Sequence, residues 1–184
     1  MKNNPPRVAV LMAAYNGEQW IAAQLDSIWS QEFVMVDVFI SLDISSDSSL
    51  TLLKNLEERH DNLFLLPYGE RFGGAAANFY RLIKDIDLSA YNYVAFSDQD
   101  DIWLPGKLQR GIDAMQSSKS TAYSSDVTAF WPSGRKKLIK KSYQQKDFDF
   151  IFESAGPGCT YVFSVNEFIG FKNFVISNWA RVVE

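Results

Sequence analysis

One stretch of the sequence, residues 93–108 (YVAFSDQDDIWLPGKL), constrains the fold more than any other. It begins with a short aromatic and β-branched run, residues 93–96, which predicts a buried strand. An acidic turn follows, and a helix is predicted from near Pro105, because apolar residues then recur at helical spacing. A strand, an acidic turn and a helix in this order place ligand chemistry at the carboxyl end of the strands of an α/β sheet.

The acidic turn, residues 97–101, carries three carboxylates, those of Asp98, Asp100 and Asp101. Carboxylates crowded in this way repel one another unless positive charge lies among them. A hard divalent cation, Mg²⁺ or Mn²⁺, is the expected partner, because it takes one or two carboxylates and leaves room for phosphate oxygens. A solvated turn that caps the following helix explains the same pattern, since Asp is favoured at helix N-termini.

Three strand–helix units precede the acidic turn. The predicted strands are residues 8–14, 36–42 and 63–66, and the helices that follow them carry the apolar stripes Ile21, Leu25, Ile28 and Trp29; Leu50, Leu53 and Leu56; and Phe79, Leu82, Ile83 and Ile86. Such a succession implies right-handed crossovers and a mostly parallel sheet. The side chains that follow the strands are therefore predicted to converge with the acidic turn on one edge, namely Tyr15, Asn16 and Asp43.

The pattern changes after Met115. A strand is predicted over residues 121–131, a charged hairpin or loop over RKKLIKK (residues 135–141), and a further strand over residues 158–164. The sheet is expected to be mixed in this part, with no strand order assigned.

Composition limits the classes of function that fit this chain. A net charge of −4 gives no support for nucleic-acid binding. The single cysteine, Cys159, excludes an intrachain disulfide and fits a reducing compartment. The first apolar run, residues 8–14, is too short for a signal peptide or a membrane span, so a cytoplasmic location is expected. The single histidine, His60, lies in a charged helical stretch and is predicted to face solvent rather than to act in catalysis.

Five segments of the chain carry a resemblance to a known family, and they are, in order, VAVLMAAYNGEQWIAAQLDSI, ISLDISSDSS, GGAAANF, FSDQDDIWLPGKL and GPGCTYVF. Together these segments resemble family 2 glycosyltransferases. These are inverting enzymes of the GT-A fold that use nucleotide-sugar donors, and the string SDQDDIW followed by LPGKL is most similar to the bacterial rhamnosyltransferase-like branch. The resemblance implies an α/β GT-A fold whose central sheet is mostly parallel, flanked by helices and mixed toward the C-terminal part. It implies one domain over residues 1–184, with a nucleotide-sugar-binding half at 1–103 and the start of an acceptor-side half at 104–184.

The resemblance also assigns roles to individual residues. Asp43 would accept a hydrogen bond from the pyrimidine N–H, Asp100 would bind the cation directly, and Asp98 would contact the ribose or the cation through water. The remaining implied contacts to the nucleotide sugar are Ala13, Ala14, Tyr15, Asn16, Asn78 and Gln99.

Several of these residues have a structural alternative. Asp43 and Asp101 fit helix caps as well, and Asn78 fits a structural role. Trp103 fits either a place beneath the sugar or a place in the core.

The implied reaction is metal-dependent transfer, with inversion, from a UDP- or dTDP-sugar to a saccharide or lipid-linked acceptor. The closest branch favours dTDP-rhamnose as the donor. A phosphohydrolase with a nucleophilic Asp is an alternative that the position of the motif disfavours, because that motif is expected on the first strand and here follows the fourth.

The sequence departs from the family pattern at three places. The second-strand motif keeps one acidic residue, Asp43, and Ala77 stands where many relatives have a basic residue. The family's general base follows the segment that matches GPGCTYVF, and here it is expected beyond Glu184, with Asp126 as a weak substitute. A nucleotide-sugar-binding fragment or module without that base is therefore the alternative function.

A cluster of basic residues lies in the predicted hairpin, Arg135, Lys136, Lys137, Lys140 and Lys141. The cluster is expected either to touch anionic lipid headgroups, in a protein associated peripherally with a membrane, or to form a solvated hairpin.

Overall fold

A six-stranded sheet organises the fold in the computed structural model, which describes residues 4–144, 146–152 and 154–183. The strands are β1 (Arg7–Ala14), β2 (Met35–Leu42), β3 (Leu63–Leu65), β4 (Tyr93–Ser97), β5 (Ala122–Tyr123), β6 (Val127–Phe130), β7 (Lys136–Ile139) and β8 (Val162–Ser164). The helices are α1 (Ile21–Trp29), α2 (Ser49–Glu57), α3 (Ala75–Asp85), α4 (Lys107–Ser118), α5 (Asp149–Phe152), α6 (Val165–Ser177) and α7 (Trp179–Val183).

The sheet has the strand order β3-β2-β1-β4-β8-β5. The first four strands in this order are parallel, and β8 runs antiparallel to both β4 and β5. The prediction of a mostly parallel sheet that becomes mixed toward the C-terminal part is confirmed. In the register, Ala14 pairs with Leu42 and Met12 pairs with Ser97, so β1, β2 and β4 end at one edge.

Both faces of the sheet are covered, which explains why β1 is apolar throughout its length. Val8, Val10 and Met12 pack into one core with α1, α2 and α4, whereas Ala9 and Leu11 pack into a second core with α3 and α6. All five side chains are completely buried. The predicted helical stripes contribute to these two cores, as expected for helices that flank a parallel sheet.

The predicted strand over residues 121–131 is wrong, because it is two strands in two different sheets. β5 belongs to the main sheet, and β6 pairs with β7 in a separate antiparallel sheet. Between them the chain turns to bond the segment before β8: Ser124 Oγ donates to the Ala155 carbonyl at 2.9 Å, and Ser125 N donates to Thr160 Oγ1 at 3.2 Å. The charged hairpin prediction is confirmed by the β6–β7 pair.

The predicted strand over residues 158–164 is only half a strand. Gly158–Thr160 forms a 3₁₀ turn, in which Thr160 N donates to the Pro157 carbonyl at 2.9 Å, and only Val162–Ser164 is extended. The longest described helix, α6, has 13 residues, and no described helix is long and apolar enough to cross a membrane.

The helix predicted from near Pro105 begins at Lys107, after Gly106 in the left-handed conformation (φ +71°). Asp101 lies too far ahead of this helix to cap it, so the capping interpretation of Asp101 is wrong. Its carboxylate points into the protein instead, toward Cys159.

Candidate functional site

A cleft of about 380 Å³ opens at the edge where β1, β2 and β4 end. Its wall combines the end of β1, the residue after β2, the loop and first turn of α3, and the acidic turn. The lining residues are Ala13, Ala14, Tyr15, Asp43, Arg71, Gly73, Gly74, Ala75, Asn78, Asp98, Gln99 and Asp100. The structure thus brings Asp43 and the acidic turn to one cleft, as the order of the crossovers predicts.

Asp43 is buried in the cleft wall, with 5% of its surface exposed. Its Oδ1 accepts hydrogen bonds from Ile44 N at 2.8 Å and Phe72 N at 3.0 Å, and its Oδ2 accepts one from Gly73 N at 2.9 Å. The carboxylate therefore closes the loop that leads into α3. Because a carboxylate has about four acceptor positions, one remains for a ligand N–H.

Asn78, in the first turn of α3, joins the ends of two strands. Its Nδ2 donates to the carbonyls of Ala14 at 3.2 Å and Ser41 at 3.0 Å. Its Oδ1 is buried and has no hydrogen-bond partner among the described residues. One turn further on, Arg81 donates to the Pro67 carbonyl at 2.6 Å and so fixes the other end of the same loop.

Gln99 joins the acidic turn to the end of β1. Its Oε1 accepts from Tyr15 N and its Nε2 donates to the Tyr15 carbonyl, both at 2.9 Å. Gly17 is required beside this contact, because a Cβ there would lie 2.8 Å from both Gln99 Cδ and Ile21 Cδ1. The Tyr15 side chain remains 56% exposed, so its ring is available at the rim of the cleft.

Asn16 differs from the other predicted nucleotide contacts, because it is not among the described lining residues of the cleft. Its backbone is in the left-handed region (φ +47°), which Asn tolerates better than most residues. Asn16 N donates to Ser45 Oγ at 3.0 Å, and Asn16 Oδ1 accepts from Ser46 N at 2.8 Å. Asn16 therefore has a structural role, because its hydrogen bonds connect the loop after β1 to the loop after β2.

The three carboxylates of the acidic turn lie in different surroundings. Asp100 is exposed at the rim, Asp98 is half-buried in the wall, and Asp101 has one buried carboxylate oxygen without a hydrogen-bond partner among the described residues. Burial first, then the negative charges of Asp101 and Asp100, raise the pKa of Asp98 above its usual range. The acidic turn therefore carries an electrostatic cost that a cation would relieve.

Cys159 lies directly behind this turn. One carboxylate oxygen each of Asp98 and Asp101, together with Cys159 Sγ, lie within 4.8 Å of one another. Burial, and then a hydrogen bond to Asp101, raise the pKa of the Cys159 thiol, so the thiol is protonated at neutral pH when no cation is bound.

These groups fit a hard divalent cation, because carboxylate oxygens are its preferred ligands and one of them is buried without a partner among the described residues. Asp100, the predicted direct ligand, is not in the described group that could hold a metal ion; besides Asp98 and Cys159, the member of that group is Asp101. Sequence reasoning missed it because Asp is common at helix N-termini.

Trp103 and Lys107 lie beneath the acidic turn. Trp103 is buried in the core and is not among the described lining residues, which favours the core interpretation. Lys107 Nζ lies 3.5 Å from the centre of the Trp103 ring and is buried without a hydrogen-bond partner among the described residues. Burial lowers the pKa of Lys107 to about 8, against the opposing influence of Cys159 and Asp101. The LPGKL motif thus supplies a positive group behind the carboxylates, which sequence reasoning left unassigned.

Four further lining residues come from the loop and helix after β3, namely Arg71, Gly73, Gly74 and Ala75. Arg71 is exposed and places a guanidinium at the cleft. It offers a positive charge in a part of the sequence where Ala77 replaces the usual basic residue. The paired glycines before α3 were the available signal, because a helix N-terminus attracts anions.

Two other predicted positions lie away from the cleft. Asp126 is not a described lining residue; it accepts from Lys141 N at 2.6 Å, Ser142 N at 2.8 Å and Ser142 Oγ at 3.0 Å, and these bonds lower its pKa. His60 is half-buried rather than solvent-facing, because its ring stacks on Trp29 at 3.9 Å. The indole offers a flat apolar surface that the imidazole covers.

An acidic turn at the carboxyl edge of a mostly parallel sheet, facing a cleft with Asp43, is the arrangement of the GT-A class of glycosyltransferases. Residues 9–171 match the family model described as Glycosyl transferase family 2. The chain belongs to this family.

Curated relatives support the assignment. The chain is 48% identical over 168 residues to the dTDP-rhamnosyl transferase RfbG of Shigella flexneri. The aligned region covers 91% of this chain and 58% of RfbG. It is 32% identical over 108 residues to WfgD of Escherichia coli, a UDP-Glc:alpha-D-GlcNAc-diphosphoundecaprenol beta-1,3-glucosyltransferase. This aligned region covers 59% of this chain and 40% of WfgD. The chain therefore spans about half the length of the curated relatives it matches.

Solved structures show the same fold. TarS of S. aureus, residues 1–349 in complex with UDP, aligns with a TM-score of 0.66 at 17% identity, over 94% of this chain and 48% of that chain. The mannosyltransferase PcManGT of Pyrobaculum calidifontis, in complex with GDP-Man and Mn²⁺, aligns with a TM-score of 0.65 at 19% identity, over 92% and 47%. The expected GT-A fold is thereby confirmed.

Proposed function

We propose that this chain forms the donor-binding part of a metal-dependent glycosyltransferase. The enzyme would move a sugar from a UDP- or dTDP-linked donor to a saccharide or lipid-linked acceptor, with inversion at the anomeric carbon. The observation that carries the proposal is that Asp43 and the acidic turn line the same cleft. The name of RfbG, a dTDP-rhamnosyl transferase, favours dTDP-rhamnose as the donor.

Asp43 would select the base of the donor. Three of its acceptor positions are filled by backbone N–H groups, which hold the carboxylate in one orientation. The remaining position would accept the pyrimidine N–H, while Tyr15 lies beside the base. A base without that donor would leave the buried carboxylate unpaired, and this disfavours such a nucleotide.

The diphosphate, which links the nucleoside to the sugar in the donor, would bind beside the carboxylates of the acidic turn. Asp98 and Asp100, with Asp101 behind them, would hold Mg²⁺ or Mn²⁺, and this cation would neutralise the negative charge that grows on the departing diphosphate. Arg71 and the N-terminus of α3 add positive potential from the chain itself. Together these groups would compensate for the absence of a basic residue at Ala77.

Inversion requires that an acceptor hydroxyl attack from the face opposite the leaving group and lose its proton to a carboxylate base. The described carboxylates that line the cleft are Asp43, Asp98 and Asp100, and the proposal gives each of them a role on the donor. The base would then come from a part of the whole protein outside these 184 residues, consistent with the 58% of RfbG that the chain spans. The same observation favours the alternative, a nucleotide-sugar-binding module without catalysis.

We place the protein in the cytoplasm, at the inner face of the membrane. A single cysteine held as a buried thiol fits a reducing compartment. The name of WfgD specifies an acceptor on diphosphoundecaprenol, so a relative that is 32% identical to this chain acts on a lipid-linked acceptor. This relationship supports a location at the membrane.

Calorimetric titration of dTDP, UDP and GDP, with Mn²⁺ and with EDTA, tests the proposal. dTDP or UDP should bind in Mn²⁺ and bind more weakly in EDTA, and Asp100→Ala should weaken Mn²⁺-dependent binding by roughly tenfold or more. Asp61→Ala, which removes an exposed carboxylate away from the cleft, is the matched control. Equal binding in EDTA, or no loss in Asp100→Ala, would contradict the proposal. Sugar transfer by the 184-residue chain would exclude the non-catalytic alternative.

A further inference from the structure

The β6–β7 pair and the residue after it form a surface that is both basic and apolar; we call residues 127–140 the basic hairpin. It forms a two-stranded sheet of its own, separate from the six-stranded sheet. Its residues do not appear among the described lining residues of the cleft. The hairpin therefore needs an explanation other than donor binding.

Register determines which side chains share a face of this hairpin. Thr128 pairs with Leu138, and Phe130 pairs with Lys136. Because cross-strand partners point to the same side, these four side chains form one face. All four are exposed, including 58% of Phe130 and 61% of Leu138. A hairpin that faced only water would not be expected to place two large apolar side chains together on its outer face.

The charge of the hairpin is opposite in sign to that of the whole chain. Arg135, Lys136, Lys137 and Lys140 are all exposed, although the chain as a whole carries −4. Arg135 lies 5.0 Å from the centre of the Trp131 ring, and that ring is itself 40% exposed near the turn of the hairpin. Aromatic, aliphatic and basic groups are therefore combined within one small exposed element.

We infer that the basic hairpin binds the surface of an anionic lipid bilayer, with Phe130 and Leu138 entering the interface and the neighbouring lysines meeting the headgroups. The apolar stems of the lysines allow this, because they lie along hydrocarbon while the ammonium groups reach the phosphates. Trp131 would lie at the level of the headgroups, where amphipathic aromatic rings are enriched. The inference extends the membrane-side location proposed above, and it names the surface responsible.

Charge complementarity favours a bilayer over a second copy of this chain. Two copies that met through the same face would bring their lysines together, and these like charges would oppose association. An anionic bilayer instead offers both negative charge and an apolar layer to the same face.

Flotation with vesicles tests the inference. The protein should float with phosphatidylcholine vesicles that contain phosphatidylglycerol, and at least about tenfold less with phosphatidylcholine alone. Lys136→Glu with Lys140→Glu should weaken partitioning by roughly 25-fold or more, since each basic residue near the surface adds about fivefold. The matched control, Lys54→Glu with Arg59→Glu, makes the same charge change at exposed positions on and just after α2 and should bind as the wild type does.

A second variant separates lipid insertion from charge alone. Phe130→Ser with Leu138→Ser keeps every basic residue and should still weaken partitioning by roughly tenfold. Absence of flotation by the wild type, equal flotation with neutral vesicles, or losses in the control as large as in the hairpin variants would overturn the inference. dTDP binding measured by calorimetry on the same proteins should be unchanged, so that failure at the membrane is distinguished from failure of the transferase proposal.

Discussion

The side-chain amide of Gln99 bonds both backbone groups of Tyr15, the N–H and the C=O, each at 2.9 Å. The end of β1 and the acidic turn after β4 are therefore held as one unit, although Tyr15 and Gln99 are 84 residues apart in sequence. The part of the cleft that would hold the base and the part that would hold the cation share this connection. These two hydrogen bonds explain why the amide of Gln99 stands between the carboxylates of Asp98 and Asp100.

Gln99→Glu should weaken that connection. The carboxylate still accepts from Tyr15 N, but it loses the donor to the Tyr15 carbonyl and adds negative charge beside Asp98 and Asp100. We expect the free energy of unfolding to fall by about 1–2 kcal/mol, and Mn²⁺-dependent dTDP binding to weaken. Urea denaturation and calorimetry measure the two effects, with Gln144→Glu, at an exposed position, as the control. A variant as stable as the wild type would show that the amide is dispensable.

Gly17→Ala should destabilise the protein because the new Cβ would lie 2.8 Å from Gln99 Cδ and Ile21 Cδ1. The expected loss is about 2 kcal/mol or more, as for overpacking at a tight site. Gly170→Ala is the matched control: Gly170 lies in α6, where a Cβ would meet no neighbouring side chain within 4 Å, and alanine there should stabilise by about 0.5–1 kcal/mol. Losses of equal size in both variants would contradict the contact.

Asp98→Asn should stabilise the protein without metal while it weakens cation-dependent donor binding. The pKa of Asp98 is raised on folding, so the native state binds more protons than the unfolded state above the usual carboxyl pKa, and stability falls as pH rises through that window. At neutral pH the ionised carboxylate is therefore a cost that the amide removes. Thermal unfolding in EDTA should show a higher Tm for Asp98→Asn, and Mn²⁺ should raise the Tm of the wild type more than that of the variant. A lower Tm for the variant in EDTA would refute this assignment.

Lys107 predicts a pH dependence of the opposite sign. Its pKa is lowered from 10.5 to about 8 on folding, so between these values the unfolded state binds more protons and stability rises with pH. The wild type should gain stability relative to Lys107→Met from about pH 8 to about pH 9.5, by at most about 1.4 kcal/mol per pH unit. The comparison cancels the titration of groups that both proteins share and that lie away from Lys107. A difference that does not change with pH would show that Lys107 is not buried as a charged group.

The sequence predicts the sheet and its carboxyl edge well because these depend on periodicity. β1 reads as buried because every residue from Val8 to Met12 packs against one face or the other. What sequence could not show are hydrogen bonds between distant segments. Asn16 accepts a hydrogen bond from Ser46, and it therefore does not line the cleft as predicted. Ser124 donates a hydrogen bond to Ala155, and the strand predicted over residues 121–131 is therefore divided at this point.

A crystal structure of the protein with dTDP and Mn²⁺ would show whether Asp43 binds the base while the acidic turn binds the cation. We expect the pyrimidine N–H within about 3 Å of an Asp43 oxygen, and the diphosphate beside a cation bound by Asp98 and Asp100. A nucleotide whose base lies away from Asp43, or whose phosphates lie away from the acidic turn, would contradict it.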